Sequence, residues 1–106
     1  MLIGEDAAST LEVSNDALLQ VDDLTIASGS TATFDSGLAE MAGDINVNAS
    51  TLIIENDSMV QVSGIVSLDN GSMTIDSAEL DVDEVVNNGG LLTTEGTGLV
   101  LSLIHI

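Results

Sequence analysis

Lysine and arginine are absent from all 106 residues, although 18 are acidic, so the formal net charge is −18. A domain of this length ordinarily carries about 13 basic residues, half of the roughly 25% that are charged. Such a surface repels phosphate backbones and anionic lipid, which predicts no nucleic-acid partner and no docking on a membrane surface. Cysteine is absent as well. Disulfides, thiolate metal sites and a cysteine nucleophile are thereby excluded. Aromatics are reduced to Phe34 alone, and a thin core of Val, Ile, Leu and Met suits a narrow coil of strands better than two broad facing sheets. No run of about 20 apolar residues exists to insert in a bilayer. No window repeats apolar residues at helical spacing for three turns, which argues against helices. The opening MLIGEDAAS lacks the charged region and apolar run of a signal peptide.

What is present is a repeat. Residues 45 to 84 divide into INVNASTLIIENDSMVQVSG and IVSLDNGSMTIDSAELDVDE, and each half contains three apolar-polar-apolar triplets. They are Ile45-Asn46-Val47, Leu52-Ile53-Ile54 and Val60-Gln61-Val62, then Val66-Ser67-Leu68, Met73-Thr74-Ile75 and Leu80-Asp81-Val82. Alternation at period 2 places the outer two side chains of a triplet on one face of a strand. A period near 20 stacks equivalent strands, so each turn adds apolar pairs to a core that no single turn buries alone.

The pattern extends both ways, from Leu11-Glu12-Val13, Leu19-Gln20-Val21 and Leu24-Thr25-Ile26 to Leu99-Val100-Leu101. Aligning second strands gives Val21, Met41, Val62, Val82 and Leu101, at spacings of 20, 21, 20 and 19. The expected fold is therefore all-β: a parallel β-helix solenoid of about five turns of 19–21 residues, with three short strands in each. The irregular spacing of near seven residues per face favours the right-handed form over a left-handed form with strict sixes. The whole chain, 1–106, reads as one domain and as a fragment of a longer array, because bare solenoid ends expose strand edges.

Between triplets lie corners of Asn, Asp, Ser and Gly, residues that tolerate left-handed backbone or cap nearby amides. Acid gathers at the first two corners, and at the first Asp35, Glu55, Asp76 and Glu95 should form a column at strand spacing of about 4.8 Å. Like charges that close repel by roughly 1 kcal/mol even in water. Either salt screens a solvated acidic face, or a cation sits between the carboxylates, and calcium is the hard cation for such oxygen ligands. These four residues are the candidate metal ligands. Neither the EF-hand loop nor the glycine-rich calcium nonapeptide is present; Asp81-Val82-Asp83-Glu84 lacks the first one's glycine.

No cofactor is required by any motif, and no catalytic residue is assigned. Asp22-Asp23 is the nearest thing to a carboxylate pair for glycoside hydrolysis, yet adjacent strand residues point opposite ways. His105, the only imidazole, has no second His or Cys to share a metal. The ending LSLIHI resembles the translated read-through of a sequencing adapter, which makes residues 102–106 a candidate non-native tail.

The units STLEVSNDALLQV, STLIIENDSMVQV and GSMTIDSAELDV resemble the degenerate rungs of bacterial secreted β-helices, such as autotransporter passenger domains and filamentous-haemagglutinin-like adhesins. The resemblance covers nearly the whole chain and is one of architecture. It implies a structural or adhesive segment, secreted or on the bacterial outer surface: a rigid acidic stalk without catalysis. Its partners would be flanking rungs of its own chain and cell-surface or extracellular-matrix ligands. Two alternatives remain: the scaffold portion of a β-helix polysaccharide lyase or hydrolase with its active site elsewhere, and a calcium-dependent surface binding module.

Overall fold

The structure, a computed structural model, describes residues 1–96 and 99–105, with side chains as far as residue 96. The described residues form strands and turns with no helix, and the chain coils through about five turns as a β-solenoid. Three faces result. The first comprises β2 (Thr10–Ser14), β5 (Thr31–Asp35), β8 (Thr51–Glu55), β10 (Ser72–Asp76) and β12 (Leu91–Glu95). The second comprises β3 (Leu18–Val21), β6 (Leu38–Met41) and the leading halves of β9 (Met59–Asp69) and β11 (Glu79–Asn88). The third comprises β1 (Leu2–Ile3), β4 (Leu24–Ile26), β7 (Ile45–Asn48) and the trailing halves of β9 and β11. A final strand, β13 (Leu99–His105), pairs along β11. Every pairing is parallel.

The period-2 alternation sends one residue of each pair inward. On the first face the inner columns run Leu11, Ala32, Leu52, Met73, Leu92 and Val13, Phe34, Ile54, Ile75, Thr94. Ala32, Phe34, Leu52, Ile54, Met73 and Ile75 are fully buried, as are Val60 and Leu80 on the second face and Ile45, Val47, Val66 and Leu68 on the third. Large and small residues are balanced within a turn. The turn that carries Phe34 also carries Ala32 and Ala39, whereas the next carries Leu52, Ile54 and Val60 at the matching places.

The three corners are built differently. Left-handed backbone occurs at the first and third but not the second. At the first corner Ser36, Asn56, Ser77 and Gly96 have φ of 58°, 54°, 53° and 58°. At the third, Ser28, Ala49, Asn70 and Gly89 have φ of 60°, 48°, 56° and 71°. Alanine has neither glycine's freedom nor a local polar group, and the left-handed region costs an L-residue roughly 1–2 kcal/mol. Ala49→Gly is expected to stabilise the fold by about 0.5–1 kcal/mol after the extra freedom of the unfolded glycine is offset. A rise of a few degrees in melting temperature checks it, and a fall would mean that the Ala49 methyl contributes packing.

The second corner bends at Asp22 and at Ala42-Gly43, stays extended at Ser63-Gly64 and Asp83-Glu84, and is held by side chains. Asp23 Oδ1 accepts the Asp44 N–H at 2.9 Å, and Asp44 Oδ1 accepts the Ile65 N–H at 2.7 Å, one turn further on. Gly43 and Gly64 make room: a Cβ on either would overlap the carboxylate above it. Buried serines do comparable work elsewhere. Ser58 Oγ accepts the Gly37 N–H at 3.0 Å, and Ser30 and Ser50 Oγ accept the N–H groups of Ser9 and Ser30 at 2.9 and 3.2 Å.

The three strands per turn stand as expected, and in the later turns the second and third join without a break through Ser63-Gly64 and Asp83-Glu84, as β9 and β11. One expectation needs correction. Val21, Met41, Val62 and Val82 pair as the spacing predicts, but Leu101 stands beside Asp81, not Val82. The cause is a bulge. Val82 and Asp83 together oppose the single residue between Leu101 and Leu103, so the 19-residue spacing is absorbed after the aligned position.

Candidate functional site

The first face ends in the acidic column. Asp35 pairs with Glu55, Glu55 with Asp76 and Asp76 with Glu95, all in one unbroken register. These positions share the outward parity of Thr31, Thr33 and their equivalents; the first three are half-buried, and Glu95 is exposed. Asp35 Oδ1 accepts a hydrogen bond from Asn56 Nδ2 at 2.7 Å, and Asp76 Oδ1 a longer one from Ser77 Oγ at 3.4 Å. Two of the corner residues that adopt left-handed backbone, Asn56 and Ser77, thus also turn donors toward the carboxylates. Among the described residues, no group of three or more acidic, His or Cys side chains converges in a way that could hold a metal ion.

Asp22 and Asp23 part company as adjacent strand-end residues should. Asp23 is engaged as the cap of Asp44, and Asp22 lies on the outer surface of the second face. His105 has its backbone beside Val86, and its side chain lies outside the described residues.

The second face carries a feature that the triplet pattern does not reveal. Its outer positions form two neighbouring rows across the turns. One row is Leu18, Leu38 and Met59, in register and 53%, 45% and 37% exposed. The other is Gln20, Glu40, Gln61 and Asp81, alternating amide and carboxylate so that like charges are not adjacent. Gln20 Nε2 donates to Glu40 Oε1 at 2.5 Å. This second row is a ridge between two shallow depressions. An apolar one of about 200 Å³ lies against Leu18, Leu38 and Met59. A more polar one of about 410 Å³ lies on the side of Asp22, Ala42 and Ser63. Leu18, Leu38 and Met59 precede their triplets by one residue and read as corner residues in the sequence. Applying the 20- and 21-residue spacing to them, as to the core positions, finds the row.

Comparison with family models, with curated proteins and with solved structures gave no match. The solenoid architecture therefore rests on the chain's own register and burial, and the functional reading rests on its surfaces.

Proposed function

We propose that this chain is a rigid, acidic, noncatalytic segment of a secreted or cell-surface protein, serving to hold other parts of that protein away from a surface. The observation that carries this reading is the continuous apolar core through successive turns, inside a shell whose outer corners are acidic. Stiffness follows from that arrangement, since each turn is hydrogen-bonded to the next and shares its core. Carboxylates on the outside keep such a stack of turns soluble and repel neighbouring copies.

Proteolysis tests the reading, and the composition dictates the protease: with no Lys or Arg, trypsin has no site in either the folded or the unfolded chain. A protease of broad specificity should leave the first and third corners intact until the melting transition. Rapid nicking at those corners below the transition would sink the stalk, as would the release of reducing ends from acidic polysaccharides.

A second reading, a calcium-dependent surface module, draws on the register of Asp35, Glu55, Asp76 and Glu95, which brings carboxylates together as neighbouring pairs though not in groups of three. If it holds, millimolar calcium raises the melting temperature well beyond sodium chloride at the same ionic strength, and Glu55→Gln removes the excess. Equal shifts from both salts leave screening as the whole effect.

A further inference from the structure

We propose that the outer surface of the second face is a docking groove for a basic amphipathic helix of a partner protein. The inference goes beyond the stalk reading and does not depend on it. Three large apolar side chains, Leu18, Leu38 and Met59, stand exposed in adjacent turns on one straight row. An in-register row of exposed apolar residues is unlike apolar residues scattered singly over a surface, and it marks a place where something packs.

Spacing selects a helix. Successive members of the row are one strand apart, about 4.8 Å, and a helix laid along the solenoid axis repeats every 5.4 Å, so over the two steps the mismatch sums to about 1.2 Å. An extended segment in the same direction repeats its same-face side chains about every 6.7 Å and would miss the third position by nearly 4 Å. Apolar anchors at successive helical turns therefore match Leu18, Leu38 and Met59, the mode by which amphipathic helices enter grooves.

Charge selects the sign of the partner and argues against a second copy. The rim beside the apolar row carries Glu40 and Asp81, with Asp22 across the ridge, and Glu79 continues the row past Met59. The chain offers no Lys or Arg to meet them, and two copies would each bring a net charge of −18 to the contact. A helix with Leu on one face and Lys or Arg flanking it satisfies both the apolar floor and the acidic rim.

The experiment uses the full 106-residue chain and a fluorescent peptide of about 15 residues, the length at which an isolated helix becomes stable. One peptide carries Leu at successive helical turns flanked by Lys. The control has the same composition with Leu at every second position. Anisotropy titrations are expected to give saturable one-to-one binding of the helical peptide in the micromolar range, weakened about tenfold by Leu38→Ser, or about 1.4 kcal/mol. Glu40→Gln keeps the acceptor for Gln20, and is expected to weaken binding severalfold and to flatten its salt dependence. Circular dichroism establishes that the variants fold, and Leu18→Ser is read the same way if Leu38→Ser does not. Equal binding of the control peptide, an affinity unchanged by these serine variants, or no binding overturns the proposal. A dimer in sedimentation that Leu38→Ser abolishes also overturns it and puts a second copy in the groove.

Discussion

Phe34→Ala is expected to lower stability by about 3–5 kcal/mol, the range for emptying a fully buried aromatic site. Phe34 is completely buried, between Val13 in one turn and Ile54 in the next. Its own turn has already given up volume elsewhere on the inner surface, at Ala32 and Ala39. Truncating Phe34 therefore leaves one turn of a narrow core with three alanines, and the turns above and below are tied to it by strand pairing and cannot close on the gap. With about 4–8 °C of melting temperature for each kcal/mol in a domain of this size, the midpoint should fall by about 12–40 °C. Thermal circular dichroism measures it. Phe34→Leu combined with Ala32→Val restores volume within the turn and should recover most of the loss. A drop below about 1 kcal/mol for Phe34→Ala would mean that the stack is loosely filled and that packing does not hold the turns in register.

The second large effect is one of ionic strength. Moving from about 0.01 M to about 1 M sodium chloride shortens the screening length from roughly 30 Å to roughly 3 Å. Glu55 stands between two other half-buried carboxylates, Asp35 and Asp76, one strand away on either side. Each contact costs about 1 kcal/mol in water when unscreened. Relief of the two should raise the melting temperature by about 10 °C, before the general repulsion among the remaining acids is counted. Glu55→Gln removes both contacts with one substitution, so its stability should vary with salt distinctly less than that of the parent chain. If the parent melts at the same temperature in both salts, the Asn56 donor and solvent already neutralise the column, and the acidic face carries no strain.

The strands were legible because two periods reinforce one another. Apolar alternation marked each triplet, and a repeat near 20 placed Phe34 beside Ile54 and Met41 beside Val62, pairings that the structure shows. The acidic column was legible for the same reason, since it follows the first apolar triplet of each turn at a fixed interval and closes the strand. Less legible was the second corner, where Ser63, Gly64, Asp83 and Glu84 are residues that either turn a chain or continue it. The same carboxylate cap occurs where the chain bends, Asp23 to Asp44, and where it continues, Asp44 to Ile65, so neither residue type nor cap distinguishes the two. The final register was misread at Leu101 because a bulge redistributes one residue after the aligned position, and residue counting cannot say where in a turn an omission falls. The Leu18, Leu38, Met59 row escaped because an apolar residue next to a corner is inconspicuous until its partners in other turns are placed beside it.

The uniform offset between paired strands also sets how this chain must find its structure. Almost every strand partner, from Leu11 beside Ala32 to Thr74 beside Ile53, lies about 20 residues away, near one-fifth of the chain. Among the described residues there is no hairpin or helix to form first and guide the rest. Relative separations of about 0.16–0.22 belong to domains that fold in milliseconds to seconds. The slow event is closure of one loop to pair two adjacent turns, and once a pair exists each further turn adds to a ready template. Folding should then spread outward from whichever neighbouring turns meet first. The centre, where Leu52, Ile54, Met73 and Ile75 lie fully buried in adjacent turns, is the place where that first meeting gains most.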